Sequence, residues 1–109
     1  MGHTDDYTGR ITIDPPLSAR ETARVRRVDG VGADEVRVVV DEGVGVGFES
    51  AGAEHGYYVT EGLALMVEAC AVPGRTFGGY LEGLNYMGVW RLVVRGGRVV
   101  RIAPAWPDA

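Results

Sequence analysis

A chain of 109 residues, 46% hydrophobic and 24% charged, has the size of one domain and enough apolar material for one core. Its formal charge of −4 argues against a general polyanion binder, whose domain is basic overall. With one cysteine, Cys70, no intramolecular disulfide can form, and no apolar stretch is long enough to span a bilayer.

All eleven basic residues are arginine and none is lysine, while glycine reaches 17. That bias reads as the coding preference of a GC-rich genome rather than selection for arginine's bidentate hydrogen bonding. Met1 to Arg10 is polar and lacks the apolar run of a secretory leader. The expectation is a soluble cytoplasmic protein.

Met1 to Asp6 is expected to fray. Tyr7 to Asp14 alternates, with Tyr7, Gly9, Ile11 and Ile13 on one face, which predicts a half-buried strand. Pro15-Pro16 is expected to end it, since neither donates to a ladder. Ser18 followed by Glu21 is a capping-box signature and predicts a helix from about Ala19 to Arg27. Its few apolar positions, Leu17, Ala19, Ala23 and Val25 or Val28, suggest weak docking. Arg20, Arg24 and Arg27 fall on one side, either as a solvated face or as an anion- or partner-binding stripe.

After a loop over Asp29 to Asp34, Glu35 to Asp41 predicts a strand with Val36, Val38 and Val40 on one face. Asp41-Glu42-Gly43 predicts a turn, and Val44 to Phe48 a returning strand with Gly45 and Gly47 sharing a face. Its GVGVG is not a phosphate loop, because no helix opens on it. Glu49 to Gly56 reads as a loop. Thr60 is a candidate N-cap for a helix over Glu61 to Val72, apolar nearly all round and stopped by Pro73-Gly74. Thr76 to Leu84 alternates again, and Asn85 to Gly88 predicts a turn.

Gly96-Gly97 between two apolar runs is a strong hairpin signal. Placing Trp90, Leu92, Val94, Val100 and Ile102 on one buried face requires a three-residue Arg95-Gly96-Gly97 loop with a bulge at Gly97. Arg91, Val99 and Arg101 then face outward. Trp106, beyond Pro104, is placed either back on the core or in an exposed contact.

Little in the chain carries chemistry. His3 and His55 are the only histidines, and no zinc-ligand spacing occurs, so neither a metal nor a cofactor is expected. Cys70 lies in the most apolar helix and reads as an inert hydrophobe. Ser18 has a capping role, and neither it nor Ser50 lies in a nucleophile elbow. Asp41, Glu42, Glu49 and Glu82 are solvated carboxylates by default. The best surface patch is Arg91, Arg95, Arg98 and Arg101, with Tyr80 and Tyr86 near them. Arginine and tyrosine are favoured at protein interfaces. Basic residues with aromatics on a sheet also suit single-stranded nucleic acid.

Gly9 to Glu21 (GRITIDPPLSARE) and Thr76 to Trp106 (TFGGYLEGLNYMGVWRLVVRGGRVVRIAPAW) resemble a family of small uncharacterised proteins of actinobacteria and their phages. In that family a strand with a glycine-rich end, an acidic turn and a Gly-Asp-hydrophobic-Trp-Arg strand recur. Here the turn reads GLNYMGVWR, Gly83 to Arg91, and the acids are missing. The match covers under half of the chain. It implies architecture and a phage or actinobacterial origin, and no activity.

The predicted order is β-α-β-β-α-β-β-β. It implies an α+β fold in two layers, a mostly antiparallel sheet with the Glu61–Val72 helix on one face, ferredoxin-like or related. The function expected first is a non-enzymatic protein-interaction module, a phage or phage-derived accessory protein acting on a host protein. A nucleic-acid binder using the arginine face is the alternative, and an enzyme with a carboxylate site invisible in sequence is the third. No membrane partner is expected. Homo-oligomerisation through an edge strand is compatible with the pattern.

Overall fold

The computed structural model describes residues 6–52, 56–86 and 88–103. The expectations placed on Met1–Asp5, His55, Met87 and Trp106 lie outside them. The elements are β1 (Asp6–Leu17), α1 (Ala19–Arg26), a 3-10 turn (Ala33–Glu35), β2 (Val36–Asp41), β3 (Val44–Ser50), α2 (Gly56–Cys70), β4 (Thr76–Asn85), β5 (Gly88–Arg95) and β6 (Arg98–Ile102).

The six strands form one sheet in the order β2-β3-β1-β4-β5-β6, every neighbouring pair antiparallel. The fold is α+β. α1 carries the chain from β1 to β2 past β3, and α2 carries it from β3 to β4 past β1. Both helices pack on one face. There Ile11, Ile13, Leu17, Phe48, Leu81, Trp90 and Leu92 of the sheet join Val25, Val59, Leu63, Met66, Val67 and Cys70 of the helices in a single core.

β1 does not end at the prolines. Its ladder with β4 stops at Asp14↔Thr76, and its pairing with β3 resumes at Leu17↔Gly45 after a register shift. Proline lacks a donor, but its carbonyl still accepts. The Pro15 and Pro16 carbonyls receive hydrogen bonds from the Arg75 side chain at 3.0 and 3.3 Å, so Leu17 is delivered to the core without a continuous ladder.

α1 has its capping box. The Ser18 hydroxyl accepts from the Glu21 N–H, and the Glu21 carboxylate accepts from the Ser18 N–H. Its buried side matches the expected one at Leu17 and Val25 and differs elsewhere: Ala19 and Ala23 are exposed, and Thr22 is buried. Thr22 tolerates burial because its hydroxyl donates to the Ser18 carbonyl at 2.8 Å and accepts the Gly45 N–H at 3.0 Å. α1 therefore docks over Gly45, where a side chain would meet Leu17 and Thr22. The strand alternation expected for β3 breaks at a bulge. Val39 pairs with Gly47 and Val40 with Gly45, so Val46 is the extra residue. Gly47 accordingly faces away from the helices, beneath the Arg10 side chain.

α2 begins at Gly56, so Thr60 is interior rather than a cap, and Glu61 lies beyond the first turn. It is one-sided rather than apolar all round: Val59, Leu63, Met66, Val67 and Cys70 are buried, while Glu61, Ala64 and Glu68 are exposed. Gly62 faces Gly32 across the preceding loop. A β-carbon on either would strike the other segment's backbone, so the pair sets how closely α2 approaches the 3-10 turn.

The last hairpin overturns the expected register. Arg95 pairs with Arg98, Val94 with Val99, Val93 with Val100, Leu92 with Arg101 and Arg91 with Ile102. The turn is the symmetric two-residue Gly96-Gly97, with φ of 58° and 78°, the left-handed pair of a type I′ turn. Trp90 and Ile102 thus lie on opposite faces. Val99 turns inward and packs against the core with Val94, and Arg101 shares the face of Trp90. Val100 and Ile102 turn outward with Arg91. The reason is position. The hairpin lies at the far edge of the sheet, where one face is only partly covered, so burial does not dictate register and turn chemistry does.

Candidate partner-binding face

Alternation along the unbroken β1–β4 ladder sends Thr8, Arg10 and Thr12 of β1 and Tyr80, Glu82 and Leu84 of β4 to the face away from both helices. The ladders continue this face through Arg91, Val93 and Arg95 of β5 and Arg98, Val100 and Ile102 of β6. Among the described residues, no element covers it.

The centre of the face is a stack. The Arg91 guanidinium carbon lies 4.2 Å from the centroid of the Tyr80 ring, and its Nε donates to Glu82 at 3.1 Å. Tyr80 is 40% exposed. The Arg91–Glu82 bridge is a cross-strand pair, and further across the sheet Arg10 meets Glu49 at 3.1 Å. Arg95 and Arg98 sit directly opposite each other beside the turn, and no carboxylate among the described residues pairs with them. Half-buried Val93, Val100 and Ile102 fill the space between the charges.

Of the residues predicted from sequence, the structure therefore gathers Tyr80, Arg91, Arg95 and Arg98 on one face. Tyr86 stands in the β4–β5 turn, 76% exposed, at the opposite end of β5 from Arg95. Arg101 leaves the set. Its guanidinium carbon lies 4.4 Å above the centroid of the Trp90 ring on the helix side, where Tyr7 meets the same indole edge-on at 5.9 Å. The indole rests against Gly83, where a side chain has no room.

The candidate carboxylates do not converge. Glu49 and Glu82 are taken up by arginines on different strands, while Asp41 and Glu42 lie exposed at the β2–β3 turn. Cys70 is buried, with its thiol donating to the Val67 carbonyl at 3.7 Å, and burial pushes its pKa up to about 11. Among the described residues, no three His, Cys, Asp or Glu side chains are placed to hold a metal ion, and no helix is long and apolar enough to cross a membrane.

Sequence reasoning missed Arg75. Its side chain is 5% exposed and makes five hydrogen bonds. Two form a fork on the Glu21 carboxylate at 2.6 and 2.9 Å, and the others go to the carbonyls of Pro15, Pro16 and Cys70. Arg75 thereby closes the end of α2, the start of α1 and the proline corner of β1 at one point. The fork, with the Ser18 N–H, holds the Glu21 carboxyl down to about 2 and raises Arg75 in turn. The sequence hint was slight: a capping glutamate with lone pairs to spare, and an arginine just beyond a Pro-Gly helix stop.

A cleft of about 600 Å³ opens where β4 and β5 splay above their ladder, lined by Ala71, Val72, Phe77 and Val94. Its one charged lining side chain is Arg75, whose donors are already spent. No family model, curated protein or solved structure matches the chain.

Proposed function

We propose that this chain is a small non-enzymatic interaction module that receives a protein partner on the open face of its sheet. The observation that carries the reading is the position of both helices on the opposite face. Among the described residues, it leaves Tyr80, Arg91, Val93, Arg95, Arg98 and Val100 without a covering element. Aromatic and arginine side chains among aliphatic ones are the composition of an interface core, and Arg95 and Arg98 offer an acidic partner two cations that no carboxylate among the described residues pairs.

The sheet order of the first four strands supports a ferredoxin-like architecture, the split βαβ arrangement, with β5–β6 added beyond β4. The resemblance of Gly9–Glu21 and Thr76–Trp106 supports a phage or actinobacterial origin, and a folded core with no catalytic cluster among the described residues supports an accessory role toward a host protein in the cytoplasm.

The test compares capture by the wild-type chain and by a Tyr80→Ser/Arg91→Ser variant from an actinobacterial lysate. A partner held by the wild type and lost from the variant supports the reading. Retention by both, or no specific partner, removes it. The Tyr80–Arg91 stack beside exposed Arg95 and Arg98 also favours a second reading, single-stranded nucleic acid. A shift assay at low salt, where phosphate contacts are strongest, decides it: no shift eliminates nucleic acid.

A further inference from the structure

We propose that the two edges of the sheet recognise each other between copies of this chain, with β6 of one copy pairing antiparallel to β2 of the next. This goes beyond the face-binding reading, because it uses the edges of the sheet rather than its open face.

Among the described residues, β2 and β6 are the outermost strands. Following the antiparallel ladders across the sheet, β2 and β6 run in opposite directions, and the β2–β3 and β5–β6 turns lie at the same end. A second copy set alongside in the same orientation, helices on the same side, therefore presents an antiparallel β2 to β6. The two-residue turn makes Arg95 and Arg98 a hydrogen-bonded pair. By alternation, Val100 and Ile102 bond inward to β5, and Val99 and Arg101 aim their backbone N–H and C=O at the open edge.

The charges of the two edges are opposite. From Arg95 to Ile102 the β6 side carries Arg95, Arg98 and Arg101 and no acid. The β2 side carries Asp34 and Glu35 before the strand and Asp41 and Glu42 at its turn, with Arg37 its one cation. In the head-to-tail arrangement the Arg95/Arg98 corner meets the Asp41/Glu42 corner, and Arg101 lies toward the Asp34-Glu35 end. Charge on an edge strand ordinarily blocks self-pairing. Here it does so selectively: β6 repels β6, β2 repels β2, and only the unlike edges attract. The contact is heterologous, so it builds rings or open arrays rather than closed two-fold dimers.

The experiment is sedimentation of the full chain over a range of concentrations, with amide exchange of Val99 and Arg101 as second readout. The wild type is expected to associate at low salt and to dissociate as salt screens the corners. Association should slow exchange at Val99 and Arg101 by roughly tenfold or more. Arg95→Glu/Arg98→Glu and Asp41→Lys/Glu42→Lys change only exposed residues, and each alone should remain monomeric. Mixing the two should restore association with the same protection. A wild type that stays monomeric overturns the proposal, whether Val99 and Arg101 exchange freely or are shielded by the chain's own remaining residues. Association that survives the Asp41/Glu42 variant also overturns it, because a symmetric β6–β6 contact has no need of β2. Association that leaves Val99 and Arg101 unprotected does the same by placing the contact elsewhere.

Discussion

Arg75 donates to two carboxylate oxygens and three carbonyls spread over the end of α2, the start of α1 and the proline corner of β1, so its loss is felt in three elements at once. Arg75→Met leaves the partly exposed Glu21 carboxylate with the Ser18 N–H alone, and losing the charged fork should cost about 1.5–3 kcal/mol. Urea unfolding should show a lower midpoint at unchanged slope. Glu21 supplies the pH dependence. Its carboxyl ionises near 2 in the folded chain against an ordinary 4.5, so on acidification the unfolded chain binds the proton first. The contribution is complete above pH 4.5 and is lost as pH falls toward 2. Wild-type stability should thus drop more between about pH 5 and about pH 2 than that of Glu21→Gln, which has no such proton to take up. Gly62 makes a separate point. A methyl there meets the Gly32 backbone, which cannot rotate away, so Gly62→Ala should cost about 2 kcal/mol or more. Gly43→Ala, in open space at φ 87°, pays only for its backbone conformation, about 1–2 kcal/mol.

At the scale of elements, α1 and the last hairpin show where pattern reading works and where it stops. The capping box located α1 to within a residue, because Ser18 and Glu21 act on neighbouring backbone. The buried side of α1 was legible only in part: apolar character pointed rightly to Leu17 and Val25 and wrongly to Ala19 and Ala23. Thr22 enters the core through two hydrogen bonds that only the fold supplies. Thr22→Val keeps the shape and strands the Gly45 N–H, so it should cost about 1–3 kcal/mol, whereas exposed Ala23→Ser should leave the urea midpoint almost unchanged. The hairpin itself was legible from Gly96-Gly97, but its register was not. The argument that one face must be buried holds under a helix, and at the β5–β6 edge an arginine does the covering. Tyr80, Arg91 and Arg95 share the outward face by alternation along β4 and β5 alone, whereas Arg98 and Arg101 both depended on the register of β6: Arg98 shares the outward face of Val100 and Ile102, and Arg101 the inner face of Leu92. In a Trp106→Phe background, Arg101→Ala should make Trp90 fluorescence more quenchable by acrylamide and cost about 0.5–1 kcal/mol. An outward Arg101 predicts no change in quenching.

At the scale of the molecule, the sheet divides into a covered middle and a partly covered side. β3, β1 and β4 lie under the helices and carry Phe48, Ile11, Ile13 and Leu81. The β5–β6 hairpin extends the sheet past β4, and the start of β6 stands beside α2 across a cleft lined by Ala64, Glu68, Arg98 and Val99. Its own core contribution is Trp90 and Leu92, with Val94 and Val99 packed against them. Stability spread this way implies two levels of opening rather than one. Amides of β1 should exchange only when the whole chain unfolds, and those of Val100 and Ile102 by local release of β6. The two levels are separable because each has its own clamp. Arg75→Met weakens the covered middle, so it should speed β1 exchange in proportion to the lost global stability and leave Val100 and Ile102 unchanged at low denaturant. Arg101→Ala should do the reverse, speeding β6 and changing β1 only by the small global loss. If either substitution moved both sets of amides equally, β5–β6 would belong to the same cooperative unit as the middle. Val99 and Arg101 would then be backbone fixed by the core, rather than an edge that opens independently.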